Sequence, residues 1–593
     1  MAELHGLVDE WLRLDKNPTT REEIERLWES REFAQLEKRL RNRIEFGTAG
    51  LRGRMEAGFA RMNDLIVIQA SQGLCSYVLE NVHNAAERGV VVGHDHRHNS
   101  ERFAKLTAAA FINRGVRVYL HRGVVHTPLV PFSVSKLNAA CGVMVTASHN
   151  PKNDNGYKVY WENAVQIIAP HDEGIAASIK ANLEPQTWDT ESVTTSRLCL
   201  DKTQEMRDAY FEELRKLSRT LNTNPSCTVK FVHTAMHGVG HTFAVQAFET
   251  VGFPAFTSVA LQRDPDPEFP TVTFPNPEEK GMDLAIREAD TMGALYVLAQ
   301  DPDADRFAAA EKQPDGTWRI FSGDQLGALL AAWTMEAYKA TGKPLDKLAM
   351  VASTVSSKMI ESMARTEGFR FAESLTGFKY IGNTALALVK EGYEVPFGYE
   401  EAIGFMIGSQ LRDKDGISTM VSFAELVASQ RAKGTSLVSY LDELYNRYGY
   451  FQTSNSYFVC EDPTITDRIF SRLRAYETPA TDASQPVYPS SIAGLLVTQV
   501  RDLTVGYDSA NAPSFKPDLP LSAGHMITFR ASDTNSENSI VLTIRTSGTE
   551  PKIKYYLEGS GKDRAQVKQV LAAVVGSLRD EWMQAGLNGL REP

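Results

Sequence analysis

Three short segments carry residues whose types and spacing suit phosphate chemistry. In Val145-Thr146-Ala147-Ser148-His149-Asn150-Pro151, an apolar run from Gly142 to Val145 breaks against Asn-Pro. A buried strand ending there would hold the Ser148 hydroxyl at the rim of a sheet. His149 and, further on, Lys158 supply proton-transfer groups beside it, as a phosphate-carrying nucleophile requires. A plain turn uses the same Asn-Pro chemistry, so this segment does not decide the matter alone. Asp301-Pro302-Asp303-Ala304-Asp305-Arg306 follows the apolar run Leu295 to Ala299. Carboxylates at alternate positions of a turn can converge on one hard cation, and oxygen-only ligation suits Mg²⁺. A calcium-binding EF-hand loop also begins Asp-x-Asp-x-Asp, but here the sixth position is Arg306 rather than Gly and the twelfth is Lys312 rather than Glu. Arg545-Thr546-Ser547-Gly548-Thr549-Glu550-Pro551 follows the run Ile540 to Ile544 and gathers a guanidinium, hydroxyls and a glycine turn into an oxyanion cradle.

Weaker candidates lie between these segments. Thr376-Gly377-Phe378-Lys379 offers a backbone turn with an ammonium, and Tyr399-Glu400-Glu401-Ala402-Ile403-Gly404 offers carboxylates suited to sugar hydroxyls. Lys414 is a further cation close in sequence, and Phe46 to Gly53 is a glycine-punctuated loop holding Arg52. Two patterns mislead. His94, His96 and His98 alternate as zinc ligands could, but no thiolate or further histidine cluster completes a tetrahedral set. His233 to His241 looks like a glycine-rich phosphate loop but lacks its Lys-Ser/Thr pair, and reads as the tight start of a helix.

The elements that must position these groups repeat along the chain. Val90 to Val92, a helix Ser100 to Asn113, Val116 to Leu120 and Gly142 to Val145 form one strand-helix alternation. Val229 to Val232, a helix Val239 to Thr250 and Leu295 to Ala299 form a second; Leu348 to Ala352, a helix Ser356 to Glu367 and Phe369 to Ala372 form a third. Such alternation indicates α/β layers. The tail differs: Tyr457 to Val459, Leu495 to Val500, Met526 to Phe529 and Ile540 to Ile544 are strands, with helices near Thr464 to Tyr476 and Arg564 to Met583 and a loop from Asp502 to Ser522. Ahead of everything, Thr20 and Glu23 have capping-box spacing and open a charged helix towards Arg43.

Bulk properties bound the reading. A chain of 593 residues is too long for one hydrophobic core. Composition is that of a soluble globular protein, 42% hydrophobic and 23% charged, and a net charge of -11 argues against a general nucleic-acid binder. Cys75, Cys141, Cys199, Cys227 and Cys460 are scattered and form no CxxC pair, as reduced cytosolic thiols do. The acidic, amphipathic N-terminus is unlike a signal peptide, and no apolar stretch nears the roughly 18 residues that span a bilayer. The expectation is a cytoplasmic protein with no membrane and no nucleic-acid partner.

In order and at domain-scale spacing, the Gly47 to Gly53 loop, TASHNP, DPDADR, the Glu400-Glu401 loop and RTSGTEP resemble the α-D-phosphohexomutase superfamily over nearly the whole chain. The resemblance implies four domains around a central cleft, three related α/β units with mixed sheets plus a C-terminal α+β domain with an antiparallel sheet. These are expected at 1–222, 223–335, 336–450 and 451–593. Asn150 to Trp161 looks closest to the phosphoglucomutase-2 branch, whose eukaryotic enzymes act mainly as phosphopentomutases (phosphoribomutases). In hexose-preferring relatives the sugar loop reads Gly-Glu-Glu-Ser or Gly-Glu-Met-Ser; here Tyr399 and Ala402 replace the glycine and the serine. That departure fits a smaller pentose.

By resemblance, phosphate rides on Ser148, and Asp301, Asp303 and Asp305 hold one Mg²⁺ that binds an oxygen of that phosphate. Arg52 and Arg306 add positive charge, and Arg545, Ser547, Gly548 and Thr549 hold the substrate phosphate. Glu400 accepts sugar hydroxyls with the help of Thr376, Gly377 and Lys379. His149, Lys158 and Lys414 are candidates for proton transfer, since an ammonium in a cation-rich site can have a lowered pKa. The implied enzyme interconverts pentose 1-phosphate and pentose 5-phosphate, with secondary glucose 1-phosphate/glucose 6-phosphate activity. Its activator is a sugar bisphosphate, glucose 1,6-bisphosphate or ribose 1,5-bisphosphate, and it is a monomer or weak homodimer. Alternatives are a glucose- or aminosugar-phosphate mutase or a glucose 1,6-bisphosphate synthase of the same fold, a phosphoserine hydrolase, and a non-catalytic binding protein.

Overall fold

The computed structural model describes residues 2–476, 486–535, 537–548 and 550–593. Two compact units are present, Met1–Ala352 with Gly377–Leu437, and Ser353–Thr376 with Val438–Pro593.

The first unit contains three sheets built on one plan. In the first sheet the spatial order is Leu51–Arg54, Asp154–Tyr160, Cys141–Val145, Val90–His94, Val118–Leu120, Cys199–Leu200. The four from Cys141–Val145 onwards run parallel, while Asp154–Tyr160 and Leu51–Arg54 each run antiparallel to their neighbours. Val90–His94 and Cys141–Val145 are buried along their whole length, which is why they read as continuous apolar runs. Helices Asp64–Asn81 and Ser100–Asn113 cover the sheet, closing a core that includes Val92, Val143, Phe103, Phe111 and Leu74. The second sheet places Tyr296–Gln300 parallel to Phe231–Thr234 and antiparallel to Phe307–Lys312. The third sets Leu348–Ser353 parallel to Glu394–Glu400, which turns back antiparallel into Gly404–Ile407. Each sheet thus ends a parallel set with an antiparallel hairpin. The three hairpin loops, 146–153, 301–306 and 401–403, carry the serine, the aspartates and the residues after Glu400.

In the second unit all pairings of the large sheet are antiparallel. The order is Tyr450–Thr453, Lys552–Gly561, Asn538–Thr546, Met526–Ser532, Leu495–Asp502, Ser491–Ile492, with Ser456–Val459 also on Lys552–Gly561. Helices Pro463–Arg474 and Arg564–Ser577 contribute Phe470, Leu473 and Leu571 to a core shared with Phe529, Leu542 and Leu557. Helix Met359–Glu367 and strand Arg370–Ser374 belong to this unit as well.

Some sequence expectations shift. The first long charged helix is two: Pro18–Glu29 and Phe33–Leu40. Its N-cap is Asn17, whose side chain accepts from the Thr19 amide at 3.0 Å, not Thr20; Pro18 suits the first helical position because its missing N–H is unneeded there. Thr20 instead donates to Asp15 Oδ2 at 2.5 Å. Two long strands have no sequence counterpart above, Asp154–Tyr160 and Lys552–Gly561. Lys552–Gly561 alternates, burying Ile553, Tyr555 and Leu557 between charged or half-buried neighbours, whereas Asp154–Tyr160 is buried from Asn155 onwards and its polar Asn155, Gly156 and Lys158 disguise it as a turn. All five cysteines carry free thiols. Among the described residues, no helix is long and apolar enough to cross a membrane.

Candidate active site

Ser148 sits in the first hairpin loop at φ 52°, a left-handed conformation that a residue with a Cβ rarely adopts. Its amide donates to Thr146 Oγ1 at 2.9 Å, and its hydroxyl donates to Asp301 Oδ2 at 2.9 Å. His149 Nδ1 lies 3.3 Å from the same hydroxyl. Burial, then Arg306 and Arg52, hold the His149 imidazole well below its usual range, so it is neutral at pH 7. Arg52 is exposed and donates through Nη1 to Asn150 Oδ1 at 3.1 Å, which ties the glycine loop to the serine loop.

The aspartates occupy the tight turn between Tyr296–Gln300 and Phe307–Lys312, with Ala304 at φ 53°. All three are fully buried, and one oxygen from each lies within 4.8 Å of the others. Asp301 Oδ1 accepts from the Arg306 amide at 3.0 Å. Asp303 Oδ2 takes Lys158 Nζ at 2.7 Å and Thr127 Oγ1 at 2.6 Å; Asp305 Oδ2 takes Lys158 Nζ at 3.0 Å and Lys414 Nζ at 2.9 Å. The remaining oxygens, Asp303 Oδ1 and Asp305 Oδ1, are buried without a hydrogen-bond partner among the described residues. Burial and the charges of Asp303 and Asp305 push the Asp301 carboxyl well above its ordinary range. Burial acts the same way on Asp303, but Lys158 and the hydrogen bonds to it hold that carboxyl well below. Orphaned hard oxygens beside mutually repelling carboxylates fit a divalent cation.

Backbone packing makes this turn rigid. Gly416 donates its amide to Ala304 O at 3.1 Å, and a Cβ at Gly416 would stand 2.3 Å from Arg306 O. A Cβ at Gly238 would meet Pro302 at 2.3 Å, and Val239 N donates to Pro302 O at 2.8 Å. The glycines after His237 therefore seat the aspartate turn rather than a phosphate. The alternating histidines diverge: His94 faces Asp95 O, His96 meets Phe269 edge to face, and His98 meets Glu268.

Glu400 ends its strand 7% exposed, and burial, opposed by Lys414 and Arg306, pushes its carboxyl up to about 7. Arg306 Nη1 donates to Ala402 O at 3.0 Å. Lys379 donates to Thr48 Oγ1, and burial lowers its pKa. Gly377, at φ 110°, precedes helix Phe378–Lys390. Tyr399 points into the core, fully buried, with its hydroxyl donating to Asp324 Oδ1 at 3.1 Å. One expectation fails here. Lys414 has no lowered pKa: burial acts downward, but Asp305, Asp413 and Glu400 outweigh it and raise the ammonium above its usual range. Around it the carboxylates outweigh the neighbouring Arg306 guanidinium.

In the second unit, Arg545 is the penultimate residue of strand Asn538–Thr546, with Nη2 donating to Tyr556 Oη at 3.1 Å and its Nε buried without a partner among the described residues. Ser547 N donates to Lys552 O at 2.9 Å, and a Cβ at Gly548 would meet nothing within 4 Å among the described residues. Thr549 lies outside the described residues. The Thr376 hydroxyl, also in this unit, is buried without a partner among the described residues.

Sequence reasoning missed Thr127, which donates both its hydroxyl and its amide (2.9 Å to Asp303 O) to the aspartate turn, and Arg97, which donates to carbonyls of the serine loop. For Thr127 no local signal exists. For Arg97 the signal was its place among histidines in the loop after Val90–His94.

Three family models match successive stretches, described as phosphoglucomutase/phosphomannomutase α/β/α domain I over 43–186, domain II over 208–316 and domain III over 322–448. The chain belongs to the phosphoglucomutase/phosphomannomutase family of the α-D-phosphohexomutase superfamily. Within it, the chain is 44% identical over 601 residues to a phosphopentomutase of Homo sapiens, spanning 98% of this chain and 96% of that one. It is 43% identical over 606 residues to a glucose 1,6-bisphosphate synthase of the same organism, spanning 99% and 96%. The structure of parafusin, a phosphoglucomutase from Paramecium, shares the fold with a TM-score of 0.65 at 18% identity, over 93% of this chain and 96% of that chain.

Proposed function

We propose that this enzyme is a phosphopentomutase, interconverting pentose 1-phosphate and pentose 5-phosphate by way of phosphoserine at Ser148 and a sugar bisphosphate. The observation that carries the reading is the Ser148 hydroxyl 2.9 Å from Asp301 Oδ2, beside orphaned oxygens of Asp303 and Asp305. Full-length similarity to a phosphopentomutase supports the pentose substrate. Asp301, Asp303 and Asp305 would hold Mg²⁺, which supplies charge stabilisation for phosphoryl transfer when bound.

The chain's own residues supply the rest. Arg306 and Arg52 place positive charge around the transferring group. Glu400, ionised, accepts sugar hydroxyls. Lys414, held as an ammonium, is suited to donate a proton or hydrogen bond to the reacting sugar oxygen. Lys158 is engaged by Asp303 and Asp305 and fixes them. Arg545, Ser547 and Gly548, with Thr549, hold the phosphate that is not being transferred. The bisphosphate turns around between two transfers, so either end of the sugar meets the same serine.

The glucose 1,6-bisphosphate synthase reading is favoured by nearly equal similarity to such an enzyme. Turnover on ribose 1-phosphate and on glucose 1-phosphate, measured side by side, tests both. Faster conversion of ribose 1-phosphate to ribose 5-phosphate supports the mutase. Net accumulation of glucose 1,6-bisphosphate with little pentose isomer would transfer the assignment to the synthase.

A further inference from the structure

The Arg97 side chain is 0% exposed, and the reaction above gives it no task. Its Nη2 donates to the carbonyl oxygens of Ser148 and of Asn150, the latter at 2.6 Å. Its Nη1 donates to Pro151 O at 2.9 Å and Asp154 O at 3.2 Å. Nε lies 3.4 Å from Asp95 Oδ2, and Asp95 Oδ1 accepts from Ser100 Oγ at 2.6 Å, which anchors the guanidinium to helix Ser100–Asn113. One side chain thus gathers backbone acceptors from the whole serine loop.

A second element closes over it. Phe269, 4% exposed, comes from the loop between the second sheet's strands; its ring centroid lies 5.1 Å from Arg97 Cζ and 5.3 Å from the His96 ring. The neighbouring Glu268 takes Lys152 Nζ of the serine loop at 2.7 Å and His98 Nε2 at 2.6 Å. The loop is therefore held by a buried fork on one side and an exposed ion pair on the other.

The chemistry explains why arginine stands there. Carbonyls removed from water must be paired, and a planar guanidinium offers five donors in a rigid fork where an ammonium offers three on a compact centre. Pairing them keeps Ser148 in its unfavourable left-handed conformation, with Oγ directed at Asp301. We propose that Arg97, covered by Phe269, is the positioning residue of the phosphoacceptor loop, acting through the backbone of Ser148 without touching sugar or phosphate.

The inference rests on Ser148 being the phosphoacceptor, so the test measures that step directly. Dephosphorylated full-length enzyme is mixed with glucose 1,6-bisphosphate and Mg²⁺, and phosphoserine is followed by intact mass on a rapid-quench timescale. In that step the Ser148 Oγ–P bond forms as a phosphoryl O–P bond of the bisphosphate breaks, and the serine proton passes to the released sugar oxygen. Wild type that gains no phosphoryl group refutes the functional reading itself. With wild type active, Arg97→Ala is expected to slow phosphorylation about 100-fold, the loss typical of a reacting group displaced by an ångström. KM for the sugar phosphate should change by less than about threefold, and millimolar guanidinium, but not methylammonium, should restore the rate. Phosphorylation within about threefold of wild type, or a folded variant that guanidinium does not rescue, overturns the proposal. If Arg97→Ala does not fold, Arg97→Lys and Phe269→Ala decide: each should be slower by about tenfold or more, and unchanged rates in both overturn it.

Discussion

Around Ser148 the polar groups are buried and tied to one another, whereas the Arg545 loop is open at its glycine. Ser148 meets Asp301 at 2.9 Å, and Asp303, Lys158, Asp305 and Lys414 form a chain of contacts between 2.7 and 3.0 Å beside them, each of the six below a tenth exposed. Among the described residues Gly548 has no neighbour within 4 Å of where a Cβ would stand, and Arg545 is steadied chiefly by Tyr556. The contrast is physical. Phosphoryl transfer needs atoms fixed before the substrate arrives, because placement errors enter the rate directly. Recognition of a phosphate tolerates a looser cradle, because the anion itself supplies the charge that orders it.

That contrast predicts different kinetic fingerprints. The largest loss is expected for Ser148→Ala: mutase turnover should fall by at least about 10³-fold, and retained turnover would break the reading of the buried region as the chemical one. Asp303→Asn should come next, lowering kcat by roughly 10²- to 10³-fold. Thermal melting separates the metal from the fold in that variant. Wild type should melt higher with added Mg²⁺ and lower after chelation, and Asp303→Asn should lose most of that shift. Arg545→Ala should act on the other side of the comparison, raising KM about 10- to 100-fold while kcat changes less. An equal loss in kcat alone would show the open loop to be as preorganised as the buried site.

The smallest effect sharpens the link between burial and charge. Glu400 is held up to about 7, mainly by burial. If its carboxylate receives sugar hydroxyls, kcat/KM should rise with pH through about 7, and Glu400→Gln should lack that acid limb. Stability runs the other way. A carboxyl whose folded pKa lies above its unfolded value favours the native state most at pH below the unfolded value. That contribution declines as pH rises, until it is lost above the folded value. The shift, from 4.5 to about 7, corresponds to a penalty on the order of 3 kcal/mol at pH 8. Glu400→Gln should therefore raise the melting temperature at pH 8 and leave it nearly unchanged near pH 4.5; no difference between the two pH values would remove the carboxyl from this role.

What the sequence determined was the set of groups that are close in the chain. The aspartates lie at alternate positions of one turn, Ser148 follows a strand of apolar residues, and Arg545 follows another, so pattern alone placed each at a loop rim. The strand-helix alternation was legible for the same reason: Val90–His94 and Ser100–Asn113 declare their periods locally. Lys158 could be named, but only the hairpin partner Asp154–Tyr160 shows how it reaches Asp303. Tertiary structure alone decided that Thr127 and Arg97 secure the aspartate turn and the serine loop, that Tyr399 turns inward, and that Lys414 is held charged. Each of these depends on which distant carboxylate, carbonyl or ring comes within a few ångströms, and on how little water remains to screen it. Chain order specifies neither distance nor dielectric; packing specifies both.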